Sequence, residues 1–352
     1  MAYTNIDDPS AYFQTFTYSG TSNTAASYTF TGNSNMKPDL VWLKQRGYSD
    51  NHYLFDSTRG AEQAIYSNLT NAEANHNSSL TSFNTNGFSV GTSNVVSGGG
   101  TYVTWNWKAN GGTTSSNTDG NTTTTVQANQ DAGFSIVTYT GTGSGSQTMG
   151  HGLGVTPNIV LTKNRSGTGR AWSFNGNFGG MTYGTNKLIL NQTSALTADT
   201  NDVTAASSTT FTGGGSNGVN ANGVTYVAYC FAEKQGYSKF GKYVGNGVGT
   251  GDGPFVYLGF KPAFLLLKNI TNANNWRILD NKRLGYNPNN YRLSANADSS
   301  ESTTEIWADL LSNGFKLRTN EGSVNAANTD YIYMAFAENP FTTSTGIPTT
   351  AR

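Results

Sequence analysis

Residues 37–46 (KPDLVWLKQR), 156–165 (TPNIVLTKNR) and 261–270 (KPAFLLLKNI) repeat one pattern, in which a proline is followed by an apolar run and then a lysine. The spacing from proline to lysine is the same in each copy; the pairs are Pro38 and Lys44, Pro157 and Lys163, and Pro262 and Lys268. A short apolar run between proline and polar loops is typical of a β-strand buried on both faces. The pattern therefore predicts three related β units, each built around one buried strand.

The repeat extends well beyond this strand. Eighteen positions after each proline the chain carries an acid or its amide, at Asp56, Asn175 and Asp280. A tyrosine opens an aromatic-rich run near the end of each repeat, at Tyr102, Tyr226 and Tyr331. The second and third repeats keep a constant offset of 105 residues as far as Glu233 and Glu338. Because chance does not hold one offset over so long a stretch, we expect a triplicated fold unit.

The local patterns predict an all-β protein with three tandem homologous units, each an antiparallel, jelly-roll-like β-sandwich. Residues 102–107 (YVTWNW) alternate with the period of two that marks a strand. The predicted boundaries are a divergent unit 1 at 1–111, a Ser/Thr/Asn/Gly linker or loop at 112–129, unit 2 at 130–235, unit 3 at 236–340 and an extended C-terminal arm at 341–352. Two short helices are predicted, at Gly60–Tyr66 and Thr304–Leu311.

Composition excludes several classes of protein. The 352 residues include 21 basic and 21 acidic side chains, so the formal charge is zero. Charged residues make up only 12% of the chain, against ~25% in an average soluble domain. A balanced charge argues against nucleic-acid binding, and the apolar stretch 263–267 (AFLLL) is too short to span a bilayer. The single cysteine, Cys230, cannot form an intrachain disulfide.

The repeated polar residues suit a structural framework better than a catalytic site. Each lysine ends the buried strand of its unit, and the acid or amide ends the next strand. A set that recurs in every unit is most simply explained by hydrogen bonds that hold the fold, such as a lysine bonded to loop carbonyls. The residues assigned to this repeat framework are Lys44, Lys163, Lys268, Asp56, Asn175, Asp280, Tyr102, Tyr226 and Tyr331.

Candidate catalytic and metal-binding residues form no recognisable pattern. Glu233 and Glu338 occupy the same position in different units, whereas a glycoside hydrolase needs two carboxylates ~5–10 Å apart across one cleft. Zinc needs three or four convergent ligands. No ligand-like spacing relates the candidates His52, His76, His151 and Cys230. We therefore predict no catalytic residue, metal or cofactor.

Aromatic residues near loops and strand ends are the candidate contacts with a partner. Tyrosine and tryptophan combine flat apolar rings with a polar group, and they often anchor interfaces. The residues predicted to contact glycan or a partner protein are Tyr48, Trp172, Trp276 and Tyr286. The alternative interpretation is that such aromatic residues pack in the core or between units.

Several motifs in residues 130–352 resemble a family of virion proteins from tailed phages of marine bacteria. In the first half of this region they are 151–157 (HGLGVTP), 226–233 (YVAYCFAE), 236–241 (GYSKFG) and 252–257 (DGPFVY). The later ones are 279–283 (LDNKR), 311–317 (LSNGFKL), 334–340 (MAFAENP) and 346–352 (GIPTTAR). The resemblance implies a structural or tail-associated role in the virion and no catalysis. Unit 1 is related to this family only through the internal repeat.

These observations together favour a non-enzymatic structural protein on the outer surface of a tailed-phage virion. We expect a tail fibre, spike or adhesin component that contacts the host surface. The alternative is a capsid decoration or head fibre protein, and a minor alternative is a carbohydrate-active enzyme. The expected partners are further copies of the chain in a trimer or higher symmetric assembly, other virion proteins and a host surface glycan. The N-terminus shows no signal peptide, so synthesis in the host cytoplasm is expected.

Overall fold

A computed structural model describes residues 3–249, 251–283 and 287–349, and strands account for nearly all of its regular structure. Strands β1–β9 lie in unit 1, at Phe13–Ser19, Ala26–Tyr28, Leu40–Gln45, His52–Asp56, Gln63–Tyr66, Ala74–Asn75, Leu80–Asn84, Gly87–Val90 and Thr101–Trp107. A 3₁₀ turn at Pro9–Ala11 and a four-residue helix at Asn94–Ser97 complete this unit. Among the described residues no helix has the length and apolar character to cross a membrane.

Units 2 and 3 contain the remaining strands. Strands β10–β20 are Ser115–Asn117, Thr124–Asn129, Phe134–Thr140, Gln147–Gly150, Ile159–Asn164, Ser173–Gly176, Asn186–Lys187, Thr197–Ala198, Val203–Ala206, Thr210–Gly213 and Thr225–Phe231. Strands β21–β28 are Ser238–Gly245, Phe255–Tyr257, Phe260–Asn269, Arg277–Asp280, Leu293–Ser294, Ala308–Leu311, Gly314–Leu317 and Thr329–Pro340.

Each unit pairs a large antiparallel sheet with a three-stranded one, so the predicted all-β sandwich fold is confirmed. The large sheets have the orders β1-β9-β3-β4-β5-β6, β10-β11-β12-β20-β14-β15 and β21-β28-β23-β24-β25. The small sheets have the orders β2-β8-β7, β13-β19-β18 and β22-β27-β26. In every unit the last long strand lies between the first long strand and the lysine-ended strand, which shows that the repeats share one topology.

The lysine-ended strands are apolar on both faces because two different cores cover them. Val41 and Leu43 of β3 face the sandwich core of unit 1. Leu40 and Trp42, on the opposite face, belong to a core that all three units share. The large sheets of units 2 and 3 contribute to the same shared core, while each unit also keeps its own sandwich core. The three units therefore pack around one common centre.

An aromatic triad marks that centre. Trp107, Phe231 and Phe336 occupy corresponding positions on the last long strands β9, β20 and β28. Their ring centroids are 5.5 Å (Trp107 to Phe336), 6.3 Å (Trp107 to Phe231) and 5.9 Å (Phe231 to Phe336) apart. Because each unit supplies one ring, the arrangement is pseudo-threefold within a single chain. Aromatic pairs of this kind contribute about 0.5–1.5 kcal/mol beyond the burial of their surface.

The predicted linker at 112–129 is wrong. Strands β10 and β11 lie in this segment, and β11 pairs with β12 from Thr125 to Asn129. Val126 is buried in the core of unit 2. The segment is rich in threonine, whose branched side chain favours strands even where large apolar residues are few. Unit 2 thus begins before residue 130. Its large sheet has two strands, β10 and β11, beyond β12, whereas the large sheet of unit 3 ends at the corresponding strand, β21.

The two predicted helices are strands at their C-terminal ends. Gln63–Tyr66 forms β5 and Ala308–Leu311 forms β26. In β5 the side chains of Ala64 and Ile65 are buried on opposite faces, in the unit 1 core and the shared core. Local periodicity in so short a stretch does not distinguish a helix from a strand covered on both faces.

The predicted extended arm is also different in the structure. Residues 341–349 fold back, since Thr342 and Pro348 form a β-bridge and Thr343 N donates to Ile347 O at 2.9 Å. Ser344 N donates to the Asp7 carboxylate at 2.6 Å, which ties the turn to the N-terminal segment. Residues 350–352 lie outside the described part of the chain.

Candidate functional site

The framework lysines are buried and bonded to carbonyl oxygens. Lys44 Nζ donates to Tyr48 O at 3.1 Å, Lys163 Nζ to Arg170 O at 2.5 Å, and Lys268 Nζ to Asn274 O at 2.8 Å. Each acceptor lies in the loop that follows the lysine-ended strand. Burial lowers the pKa of each ammonium group to about 8. Each lysine therefore organises a loop, and no carboxylate pairs with it at ion-pair distance among the described residues.

The framework aspartates join neighbouring units. At the interface between units 1 and 2 (the 1/2 seam), Asp56 Oδ2 lies 2.5 Å from Arg59 Nε and accepts a hydrogen bond from Tyr229 OH of unit 2 at 2.7 Å. At the interface between units 3 and 1 (the 3/1 seam), Asp280 Oδ2 lies 2.7 Å from Arg283 Nε and accepts a hydrogen bond from Trp105 Nε1 of unit 1 at 2.9 Å. The two seams thus use the same buried network of aspartate, arginine and a donor from the next unit.

A glutamate extends each network. Glu73 bonds to Arg59 at 2.7 Å and to Arg165 of unit 2 at 2.8 Å. Glu301 bonds to Arg283 at 3.0 Å and to Arg46 of unit 1 at 2.7 Å. The sequence reasoning missed these arginines and glutamates. The sequence pattern that could have indicated the arginines has two parts. Arg59 and Arg283 follow the framework aspartates by three residues, and Arg46 and Arg165 end residues 37–46 and 156–165.

At the same positions the seam between units 2 and 3 (the 2/3 seam) carries no charged side chain. Leu196 N donates to Ile270 O at 3.0 Å, as Glu73 N donates to Arg165 O and Glu301 N to Arg46 O at 2.7 Å. Four apolar side chains of this seam pack in or against the shared core; they are Phe178, Leu196, Ile270 and Met334. Asn175 replaces the framework aspartate, and Phe178 replaces the arginine three residues later. The seams are therefore equivalent in backbone contacts and different in chemistry.

The framework tyrosines hold the loops at the end of each sandwich. Tyr102, Tyr226 and Tyr331 stack on a second tyrosine of the first long strand, with centroids 4.8, 5.2 and 5.1 Å apart. Their hydroxyl groups donate to the carbonyls of Asn94, Asn217 and Gly322 at 3.0, 2.9 and 2.8 Å. Each pair thereby fixes the turn that leads into the last strand of its unit.

Two of the residues predicted to contact glycan or a partner protein are buried, so their assignment is wrong. Trp172 and Trp276 are 0% and 1% exposed. Trp172 Nε1 donates to Tyr66 O of unit 1 at 2.6 Å, and Trp276 Nε1 donates to Ile189 O of unit 2 at 3.1 Å. Their position near strand ends reflects packing across the seams. Tyr286 lies outside the described residues.

Tyr48 is the predicted contact that lies on the surface, where the residue is 64% exposed. It lines an open groove of about 470 Å³ at the loop end of unit 1; the other lining residues are Gln45, Ser49, Asp50, Asn94, Val95 and Gly99. The groove offers amide, hydroxyl and carboxylate groups beside one aromatic ring. Such groups can hydrogen-bond to hydroxyl groups of a ligand while the ring contacts an apolar face.

The remaining candidates have separate surroundings. The Glu233 carboxylate accepts from Phe240 N at 3.1 Å, and Glu338 pairs with Lys261 at 2.7 Å. Burial raises the pKa of the Cys230 thiol to about 12 and lowers the pKa of His52. Within the described ranges, no group of three His, Cys, Asp or Glu side chains is arranged to hold a metal ion.

Comparison with known proteins gives one family match. The model of the family described as "Domain of unknown function (DUF7483)" matches residues 8–340. No curated protein matches the chain. A solved structure titled "Crystal Structure of the STIV MCP" is 9% identical over 93% of this chain and 95% of that chain, with a TM-score of 0.17. So low a score carries no argument about fold or function. Because the family match spans almost the whole chain, the protein belongs to the DUF7483 family.

Proposed function

We propose that this protein is a non-enzymatic structural component on the outer surface of a tailed-phage virion, where it serves host attachment as part of a tail fibre, spike or adhesin. The motifs in residues 130–352 that resemble marine-phage virion proteins support the location. Assembly with further copies of the chain and with other virion proteins is part of the same proposal.

The observation that carries the proposal is the shared core of the three units. The side chains of the aspartate and arginine networks bond to one another and to the neighbouring unit at the seams. The aromatic triad joins the three units at the centre. The outer faces and loop ends are left for contacts with partners. Loops on a rigid scaffold commonly carry binding functions, and the Tyr48 groove is a loop-end surface of this kind.

Labelling of intact particles tests the location. A gold-conjugated antibody against the purified protein should decorate the tail of intact phage particles. Particles that lack this protein should stay unlabelled and should adsorb poorly to host cells. Absence of the protein from purified particles, or labelling only after the particles are disrupted, would overturn the proposal.

The Tyr48 groove supplies a residue-level test of host contact. Tyr48→Ala should reduce adsorption of the purified protein to host cells severalfold, because the exposed ring is lost while the Lys44 bond to the backbone carbonyl of residue 48 remains. Val155→Ala, at an exposed position of unit 2, is the matched control. Equal adsorption of both variants would remove the groove from the contact surface.

Capsid decoration is the second candidate, and the pseudo-threefold arrangement favours it. One chain places three units of the same topology around a common core, a shape that suits a site of threefold symmetry on a shell. Antibody label on the head, with normal host adsorption by particles lacking the protein, would decide for this function over attachment.

A further inference from the structure

We infer that the outer face of the small sheet in unit 3 is a binding site for an acidic polysaccharide. This inference rests on the host-glycan contact in the proposed function, and it assigns that contact a surface and a ligand class. The face is defined by Phe255 and Tyr257 on β22 and Lys316 on β27.

Strand register shows that this face differs from those of the other units. In each small sheet a buried phenylalanine of the middle strand pairs with a residue of the neighbouring edge strand; the pairs are Phe88 with Tyr28, Phe211 with Met149, and Phe315 with Val256. The flanking positions on the edge strand are Ser27 and Thr29 in unit 1, Thr148 and Gly150 in unit 2, and Phe255 and Tyr257 in unit 3. Only unit 3 places aromatic rings there.

The two rings stand on the outer side of the sheet. Phe255 and Tyr257 are 46% and 50% exposed, while Val256 between them is buried in the core. Residues two apart on a strand lie about 7 Å from each other on one face. A Cβ atom at Gly314 would lie 2.0 Å from Val256 O and 3.2 Å from the Phe255 ring, so both the edge strand and this ring lie close to the backbone of β27.

Positive charge borders the rings. Lys316 is the cross-strand neighbour of Phe255. Asp309, which pairs with Lys316 across the sheet, is engaged by Arg318 at 2.5 Å. No ion pair involves Lys316 within the described part of the chain. Lys239 Nζ lies 5.2 Å from the centroid of the Tyr257 ring and donates to Tyr257 O at 3.0 Å.

The size of the face favours a polysaccharide over a protein partner. A stable protein interface buries about 800 Å² on each side. Two half-exposed aromatic side chains offer only roughly 200 Å². That area is enough to cover the apolar faces of one or two sugar rings, and the adjacent Lys316 ammonium complements a carboxylate on the sugar. A short anionic segment of a glycan chain therefore fits both the area and the charge.

Affinity electrophoresis of the full chain tests the inference, with alginate as the acidic polysaccharide and dextran as the neutral one. Alginate in the gel should retard the protein, and dextran should not. Phe255→Ser/Tyr257→Thr installs the residues that unit 1 carries, and it should weaken alginate binding roughly tenfold or more. Lys316→Ser should weaken it by a smaller factor. Ser27→Ala/Thr29→Ala, the same positions in unit 1, is the matched control and should bind alginate normally.

Three results would overturn the inference: no retardation by alginate, equal retardation by dextran, or unchanged binding by a Phe255→Ser/Tyr257→Thr variant with normal thermal stability. Loss of particle incorporation by that variant, without alginate binding by the parent, would instead make the face a protein interface. Antibody labelling of particles is independent of this assay. Alginate binding by a protein absent from virions would refute the proposed function alone, and external labelling without alginate binding would refute only this inference.

Discussion

At the scale of residues, the framework lysines have the most unusual environment. Lys44, Lys163 and Lys268 are fully buried, and their ammonium groups donate to carbonyl oxygens. Burial lowers each pKa from 10.5 to about 8 because the charged form loses its hydration. The folded chain therefore releases these protons at a lower pH than the unfolded chain does.

This difference predicts that stability rises with pH in the alkaline range. Between about pH 8 and pH 10.5 the unfolded state binds more protons at these lysines, so the free energy of unfolding increases with pH. Above about pH 10 buried tyrosines with raised pKa values, such as Tyr18 and Tyr139, reverse the trend. Urea denaturation at about pH 7 and about pH 9.5 should show the higher unfolding free energy at the higher pH.

The control for this prediction is the triple variant Lys44→Met/Lys163→Met/Lys268→Met, in which the rise should disappear. A parent protein whose unfolding free energy is flat or falls across this interval would contradict the assigned environment of the lysines.

The seam networks give a second prediction at the residue scale. Asp56→Asn leaves the fully buried Arg59 guanidinium without its nearest carboxylate, and should lower the unfolding free energy by about 3–5 kcal/mol. Asp56→Asn/Arg59→Phe copies the residues of the 2/3 seam, and it should recover part of that loss because no buried charge is left unpaired. Chemical denaturation of both variants makes the comparison, and a double variant less stable than the single one would show that the seams are not interchangeable.

At the scale of elements, β11 shows what composition conceals. The segment lacks large apolar residues, yet Thr124 and Val126 are buried while Thr125 between them is exposed. Val126→Ala should lower the unfolding free energy by about 1–2 kcal/mol, because it leaves a cavity in the core of unit 2. Thr125→Ala, on the exposed face of the same strand, should change it by less than about 0.5 kcal/mol. Equal and negligible effects, measured by urea denaturation, would mean that the segment is a linker after all.

Local sequence predicted the three units, the buried strands and the framework positions because these follow from repetition and hydrophobic pattern. It did not predict what covers Trp172 and Trp276, because their partners are backbone carbonyls of another unit. The exposure of Tyr48 could be predicted from the sequence, since a tyrosine in a polar loop is commonly exposed. The unit 3 face could not be predicted, because Phe255 and Tyr257 can be compared with Ser27 and Thr29 only when the strand register is known.

At the scale of the whole molecule, the shared core couples the units. Trp107, Phe231 and Phe336 each touch rings from the other two units. Differential scanning calorimetry should therefore give one cooperative unfolding transition whose calorimetric and van't Hoff enthalpies agree. Phe336→Ala should lower stability by about 3–5 kcal/mol and shift the entire transition. Separate transitions, with only one displaced by Phe336→Ala, would mean that the units fold independently.

The central claim is that one chain forms a pseudo-threefold body which stands on the outside of a phage particle. Cryo-electron microscopy of intact particles tests it most directly. The account predicts external density into which a single chain fits as three sandwiches around a common centre, with the unit 3 face and the Tyr48 groove open to solvent. Particles with the protein enclosed inside the shell, or with its three sandwiches separated along an extended fibre, would contradict the claim.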